Sequence, residues 1–283
     1  MENPERIIER FNNFHPIPMV LGRLAQLLVS DEATLKDIED VIKIDPLLVA
    51  RILNTVNSVY YSPPQKIDNL SRAITYLGMR NLHILVVADT LHVLSSLRSN
   101  RPNQLRLHIW RHSAAVSIAA RMIAERIFGI NGDNAYLVGI LHDFGHIIEE
   151  QLEHDIFAAI VRDAATPEEM VNLEQQHFGV DHCQIGAELC RQWMISPLVS
   201  EAIFSHHDMN AVRPDSLDGI LRLAEYLTEG EHSLDGSRRH VSLNSGLIAH
   251  VRENRDEYAV LMEDFPIEMQ KANAVYGNRI HEE

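Results

Sequence analysis

Apolar residues recur at helical spacing along almost the whole chain, and this periodicity leaves little room for any fold class but one. Val20, Leu21, Leu24, Leu27 and Leu28 line one face of a first helix, and Leu35, Ile38, Val41 and Ile42 line the next. Asp45-Pro46 reads as an N-cap followed by proline at the first helical position, opening a helix through Leu48, Ile52 and Val56. The segment YYSPP at 60–64 is a loop, because Pro63 and Pro64 disfavour helix on both sides. Ser71 is read as the cap of a short helix that stops at Gly78. The run HILVVADTLHVL at 83–94 has strand propensity, but its length and lack of turn signals favour a buried helix.

A polar break at 95–104 separates this half from a second, in which helices are expected near 105–128, 134–151, 155–164, 168–176, 181–194, 196–207 and 216–228. Residues 228–244 read as a polar loop, and the charged, weakly amphipathic tail at 251–283 as one or two further helices. Internal repeats, low-complexity tracts, a P-loop and a dinucleotide fingerprint are not found. Few segments alternate with period two, so the expected class is all-α: an N-terminal helical half over 1–98, a helical bundle over 99–228 and a C-terminal extension over 229–283.

The 283 residues are 46% hydrophobic and 23% charged, enough for one large core or two modest ones. With 25 basic against 40 acidic residues the formal charge is −15, which argues against broad binding to nucleic acid or to an anionic membrane. The N-terminal MENPERIIERF has no apolar core of a signal peptide, and no run reaches the roughly 18 apolar residues of a membrane span. Cys183 and Cys190 share one expected helix, which places them roughly 10 Å apart and beyond disulfide reach. A reducing cytoplasm is therefore the expected location.

The chemistry concentrates in the stretch LVGILHDFGH, 137–146, read as part of one helix. Leu137, Ile140, Leu141 and Ile148 mark a face that should be buried, yet His142 and Asp143 stand side by side within it. An unpaired buried carboxylate is costly, so Asp143 needs a cation, a metal or a set of donors. A neutral imidazole beside it suits metal ligation. Further histidines fall on other helices of the second half: His112 in WRHS, His182 in VDHCQIGAELCRQW and His206-His207 in AIFSHHD, with Glu225 in ILRLAEYL. Ligands drawn from several helices around a bundle core make a metal site, and mixed imidazole and carboxylate donors suit Fe, Mn, Zn or Ni better than Mg or Ca.

The order His, His-Asp, His, His-His, acidic residue resembles the HD phosphohydrolase superfamily, with LHDFGH in the place of its signature pair. The segment IDPLLVARILNTVNSVYYSPPQKIDNLSRAITYLG narrows the resemblance to the HDOD domain, marked by Asp-Pro, then Asn-Ser, then Ala-Ile and Leu-Gly. The similarity runs from about Phe14 to Thr228. It implies that His112, His142, Asp143 and Glu225 ligate a first metal. It also implies that His182, His206 and His207, with Asp143 bridging, serve a possible second. In two-metal members such a pair lowers the pKa of a bound water and clamps a phosphate during in-line attack. HDOD domains are regarded as HD relatives that have lost catalytic residues and act as output or scaffolding modules in bacterial signalling. This sequence keeps more of the ligand set than that.

It also departs from the superfamily pattern. Glu225 stands where aspartate is usual, and His146 where a lysine commonly follows His-Asp-x-Gly and can supply charge to a phosphate. No Gly-Tyr-Pro follows His207-Asp208, so a cyclic-di-GMP phosphodiesterase loses support.

Plainer readings stand beside these. His142-Asp143 with His112 could be a hydrogen-bonded buried pair and its partner, His182 a capping or surface histidine, His206-His207 cations favoured by a helix end, and Glu225 a solvated residue or ion pair. His83, His92, His108, His146 and His154 are read as structural. Asn54, Asn57 and Ser58 are read as helix-end hydrogen bonding, the alternative being a contact between the two halves or with a partner. Two functions are expected to compete. One is a regulatory module acting through signalling or regulatory proteins, with one or two divalent transition metals retained. The other is an active metal-dependent phosphohydrolase of a phosphodiester or nucleotide, in which Asp143 and His142 are the catalytic residues. The lack of a basic phosphate-binding motif favours the module.

Overall fold

The computed structural model describes residues 3–14, 19–28, 30, 33–58, 60–95, 104–193, 195–208, 213–228 and 241–276, and among them every regular element is a helix. The order begins α1 (Pro4–Phe14), α2 (Met19–Leu28), α3 (Leu35–Ile42), α4 (Pro46–Val56) and α5 (Leu70–Ser95). It continues α6 (Gln104–Met122), which runs into one π turn at Ile123–Ile127, then α7 (Asp133–Leu141), α8 (Phe144–Leu152), α9 (His154–Asp163) and α10 (Pro167–Phe178). It ends α11 (His182–Gln192), α12 (Pro197–Ser205), α13 (Leu217–Thr228), α14 (Ser245–Glu253) and α15 (Arg255–Tyr276). None of the described helices is long and apolar enough to cross a membrane. The expected polar break falls mostly outside the described residues, as do most of the 228–244 loop and the last part of the tail.

The chain divides into two compact units, Met1–Pro16 with Ser95–Phe265, and Ile17–Leu94 with Pro266–Glu283. In the second of these, Asp45 caps α4 as the sequence predicts: its Oδ1 accepts from the backbone N–H of Leu47 and Leu48 at 2.9 and 3.1 Å. Thr34 and Asp37 form a capping box at the start of α3. Of the expected α3 face, Ile38 and Ile42 are buried while Leu35 is exposed. Asn57 pins the loop between α4 and α5, donating to the carbonyls of Leu53 and Ile67, both at 2.7 Å, and accepting from Ile67 N–H at 2.8 Å. The cap of α5 is Asn69, whose Oδ1 accepts from Arg72 N–H at 2.9 Å. Ser71 is instead turned to the carboxylate of Glu39. At Gly78 the backbone takes φ 73°, ψ 162°, so α5 is two helical stretches joined at the glycine that the sequence marks as a stop.

The other unit carries the bundle. Helix α6 lies along α7, and the two backbones approach so closely that a Cβ on Gly139 would sit 2.5 Å from Ser117 Cα. Helix α1 packs on α8 and α11 through its buried Ile7, Ile8 and Phe11 face. Deep in the bundle Arg106 meets Glu150 at 2.8 Å, both buried. The single helix expected over 134–151 is two helices. The break falls on His142 and Asp143, and Asp143 has φ −99°, ψ 8°, a sparsely populated region where active-site residues are often found.

Candidate metal centre

Five parts of the bundle bring the singled-out side chains together. His112 projects from α6, His142 and Asp143 from the α7–α8 break, and His182 from the first position of α11. His206 and His207 follow α12 directly, and Glu225 lies on α13. Helix α8 starts hard against α11, since a Cβ on Gly145 would meet His182 Cα at 2.5 Å, so only glycine allows this approach. Asp181 caps α11 in a capping box with Gln184, which fixes where His182 leaves the chain.

Asp143 is the hinge of the geometry. Its Oδ2 lies 3.3 Å from His142 Nε2 and 3.6 Å from His112 Nε2, and Glu225 Oε1 lies 3.8 Å from the same His142 nitrogen. Its Oδ1 turns the other way, 3.9 Å from Nε2 of both His182 and His206. His182 Nε2 is 3.3 Å from His206 Nε2 and 3.0 Å from His207 Nε2. Two ligands bonded at about 2.1 Å to a single ion stand roughly 3.0 Å apart when adjacent and 4.2 Å apart when opposite, so all these separations suit shared coordination.

The protonation pattern points the same way. His142 Nδ1 donates to Gly139 O at 2.9 Å, His206 Nδ1 to Ile203 O at 2.6 Å and His182 Nδ1 to Glu174 at 2.7 Å. When these rings are neutral with the proton at Nδ1, the form in which imidazole binds a metal, the Nε2 atoms carry lone pairs. Those of His182 and His206 face each other, and the fully buried His142 Nε2 has no hydrogen-bond partner. Lone pairs converging in a buried space call for a cation. The residues present therefore fit a divalent metal.

Electrostatics follow from burial and crowding. Burial pushes His206 and His207 well below the ordinary histidine value, and neighbouring imidazoles push them further. Burial opposes charge on His142 and His182 too. There Asp143 and Glu225 outweigh it for His142, and Cys183 and Glu174 for His182, so both are raised. Asp143 is held well below the carboxylate range, because His142, His146 and His112 overcome its burial. Glu225 goes the other way, lifted by burial to about 7 although His142 pulls it down.

Three further side chains join the cluster. His146, read from the sequence as structural, is buried with Nδ1 3.7 Å from Asp143 Oδ1 and Nε2 2.9 Å from Glu174. Glu174 thereby orients both His146 and His182, the carboxylate–imidazole support expected behind a metal ligand. Glu149 is buried with neither carboxyl oxygen hydrogen-bonded, and burial followed by Glu174 pushes it well above the usual carboxylate range. Neither carboxylate stands in a spacing that sequence reasoning could single out. His146 was visible, at i+3 from Asp143 on one helical face.

Among known proteins, the chain is similar in structure to a candidate phosphohydrolase from Shewanella amazonensis SB2B, with TM-score 0.66, 20% identity and 97% of both chains covered. A second similar structure is a candidate signal transduction protein from Marinobacter aquaeolei VT8, with TM-score 0.62, 20% identity, and 93% of this chain and 58% of that one covered. In sequence it is 24% identical over 221 residues to Ribonuclease Y of Streptococcus agalactiae serotype III, covering 78% of this chain. The chain spans 32% of that protein's length and 47% of the length of a Treponema pallidum relative. The HDOD domain family matches residues 15–209, more than half of the sequence, and the chain belongs to that family.

Proposed function

We propose that this chain is a regulatory HDOD module of bacterial signalling, working through contacts with other proteins, with a retained divalent transition-metal centre that ties its bundle together. The carrying observation is the convergence of His112, His142, Asp143 and Glu225 with His182, His206 and His207 around both oxygens of one buried carboxylate. In this reading the first four residues hold one ion and the three histidines, with Asp143 bridging, a second. Fe, Mn, Zn or Ni would suit such donors. Helices α6, α8, α11, α12 and α13 would each gain a tie to the same point, so metal occupancy would set how firmly the bundle is held. The candidate signal transduction protein of like fold supports the regulatory side of the reading.

A second reading, metal-dependent hydrolysis of a phosphodiester or nucleotide, is favoured by one observation: Asp143 presents one oxygen to each ligand group, the bridging arrangement of two-metal hydrolases. Against it stands position 146. The histidine there is buried and bonded to Glu174 rather than available to an anionic substrate. Asp143 and His142 would be the catalytic pair of such an enzyme.

Elemental analysis of the purified chain, followed by a hydrolysis screen with Mn or Fe added, separates the two. One or two equivalents of metal without turnover supports the module. Turnover abolished by Asp143→Ala establishes the hydrolase instead, and a protein that takes up no metal removes both readings.

A further inference from the structure

The residue after His182 is a cysteine, and the ligand sets above leave it out. Cys183 is buried at the second position of α11, and its Sγ lies 3.5 Å from His182 Nε2. One ligand atom from each of His182, Cys183, His206 and His207 falls within 4.8 Å of all the others. We propose that the Cys183 thiolate, rather than a bridging Asp143 whose Oδ1 lies 3.9 Å from the His182 and His206 Nε2 atoms, is the fourth ligand of the second metal position, making it a three-histidine, one-thiolate site of the kind that suits zinc. This rests on reading the three histidines as a metal site.

The distances agree with a tetrahedral ion. Zinc bonds of about 2.3 Å to sulfur and 2.0–2.1 Å to nitrogen, at the tetrahedral angle, place sulfur about 3.5 Å from each nitrogen and the nitrogens about 3.3 Å apart. The structure gives 3.5 Å for Cys183 Sγ to His182 Nε2, and 3.3 and 3.0 Å for His182 Nε2 to the other two imidazoles. Position matters as well. Cys183 stands in the first turn of α11, the helix end whose dipole favours negative charge. The competing arrangement keeps the thiol protonated, donating S–H to His182 Nε2, and burial, which pushes the thiol up to about 11, favours it when no metal is bound. When the ion binds, the thiol proton leaves to solvent and the sulfur lone pair takes its place on the metal. The two positions then differ in character. The first has nitrogen and oxygen donors only, whereas the second is softer and prefers zinc to manganese.

The test replaces the native metal of the full chain with cobalt(II), whose thiolate bonds give a charge-transfer absorption in the near ultraviolet that imidazole and carboxylate do not. Only two cysteines exist in the sequence, Cys183 and Cys190, so the assignment is closed by two variants. The expected result is a charge-transfer band in the wild type and in Cys190→Ser, lost in Cys183→Ser while the visible d–d bands of bound cobalt persist. The wild-type spectrum decides even if Cys183→Ser does not fold. Cobalt bound with d–d bands but no charge-transfer band overturns the thiolate ligand and leaves the metal reading standing. A band that survives Cys183→Ser overturns it too. A wild type that binds no cobalt overturns both. As a second readout, calorimetry in buffers of different ionisation enthalpy should show about one proton fewer released per metal by Cys183→Ser than by the wild type.

Discussion

In the unit of α2 to α5, the buried side chains are Val20, Leu21, Leu24, Ile38, Ile42, Leu48, Ile52, Val56 and their like, with Thr55 and Thr90 as its buried polar residues among those described. The bundle of α6 to α13 buries His142, Asp143, His146, Glu149, Glu150, Glu174, His182, His206, Arg222 and Glu225. The first kind of core is stabilised by removing apolar surface from water, at about 25 cal/mol per Å². The second takes charge out of water, which is costly unless each group meets an opposite charge, a donor or an ion. Carboxylates and imidazoles alternate around Asp143 and Glu174, which offsets part of that cost. His142 Nε2 and both carboxyl oxygens of Glu149 are left by the protein alone without a hydrogen bond. The charged core thus fits the ion proposed above, whereas the other is held by apolar packing.

The largest effect should come from the middle of the charged core. Asp143→Ala removes the counter-charge shared by His112, His142, His182 and His206, and should cost about 3–5 kcal/mol of stability. It should also weaken metal binding by at least roughly 100-fold. Thermal denaturation and elemental analysis check the two together, and full metal content in the variant would break the comparison.

Ile52→Ala is the mirror experiment. Ile52 is fully buried in α4, and its truncation should cost about 2–5 kcal/mol with metal content unchanged. Metal lost along with stability would show that the two cores are not separate in what they do.

His83 gives a smaller, pH-dependent effect within the apolar unit. Burial lowers it from 6.5 to about 4. Because the folded-state value is depressed for a base, the unfolded chain binds the extra proton between those values. Stability is then present above pH 6.5 and is lost as pH falls towards 4, by no more than about 3 kcal/mol. Denaturant titrations at pH 7 and pH 4.5 should show this loss, and His83→Gln should flatten it.

The smallest effect belongs to the surface. Thr34→Ala removes the cap of α3, where Asp37 N–H donates to Thr34 Oγ1 at 3.3 Å, and should cost about 1 kcal/mol with no change at the metal centre.

The sequence by itself determined what depends on near neighbours. Helical spacing, the Asp45-Pro46 start, the Gly78 stop and the helix-end bond of Asn57 to Leu53 all follow from chemistry within a few residues, and the structure carries each of them. It also singled out the histidines, because residue type and order along the chain are visible there. Ser71 misled as a cap because Asn69, two residues earlier, competes for the same N–H groups with a better-placed acceptor. Tertiary structure alone decided the break in the helix at His142-Asp143, the burial of Glu225, and the recruitment of His146, Glu149, Glu174 and Cys183 to the cluster. These depend on backbones brought close at Gly139 and Gly145, where α7 meets α6 and α8 meets α11. The physical reason is range: periodicity and caps are set by contacts one turn away, whereas a ligand cluster needs tips from distant parts of the chain placed within a few ångströms. Only the packing of the whole bundle fixes that.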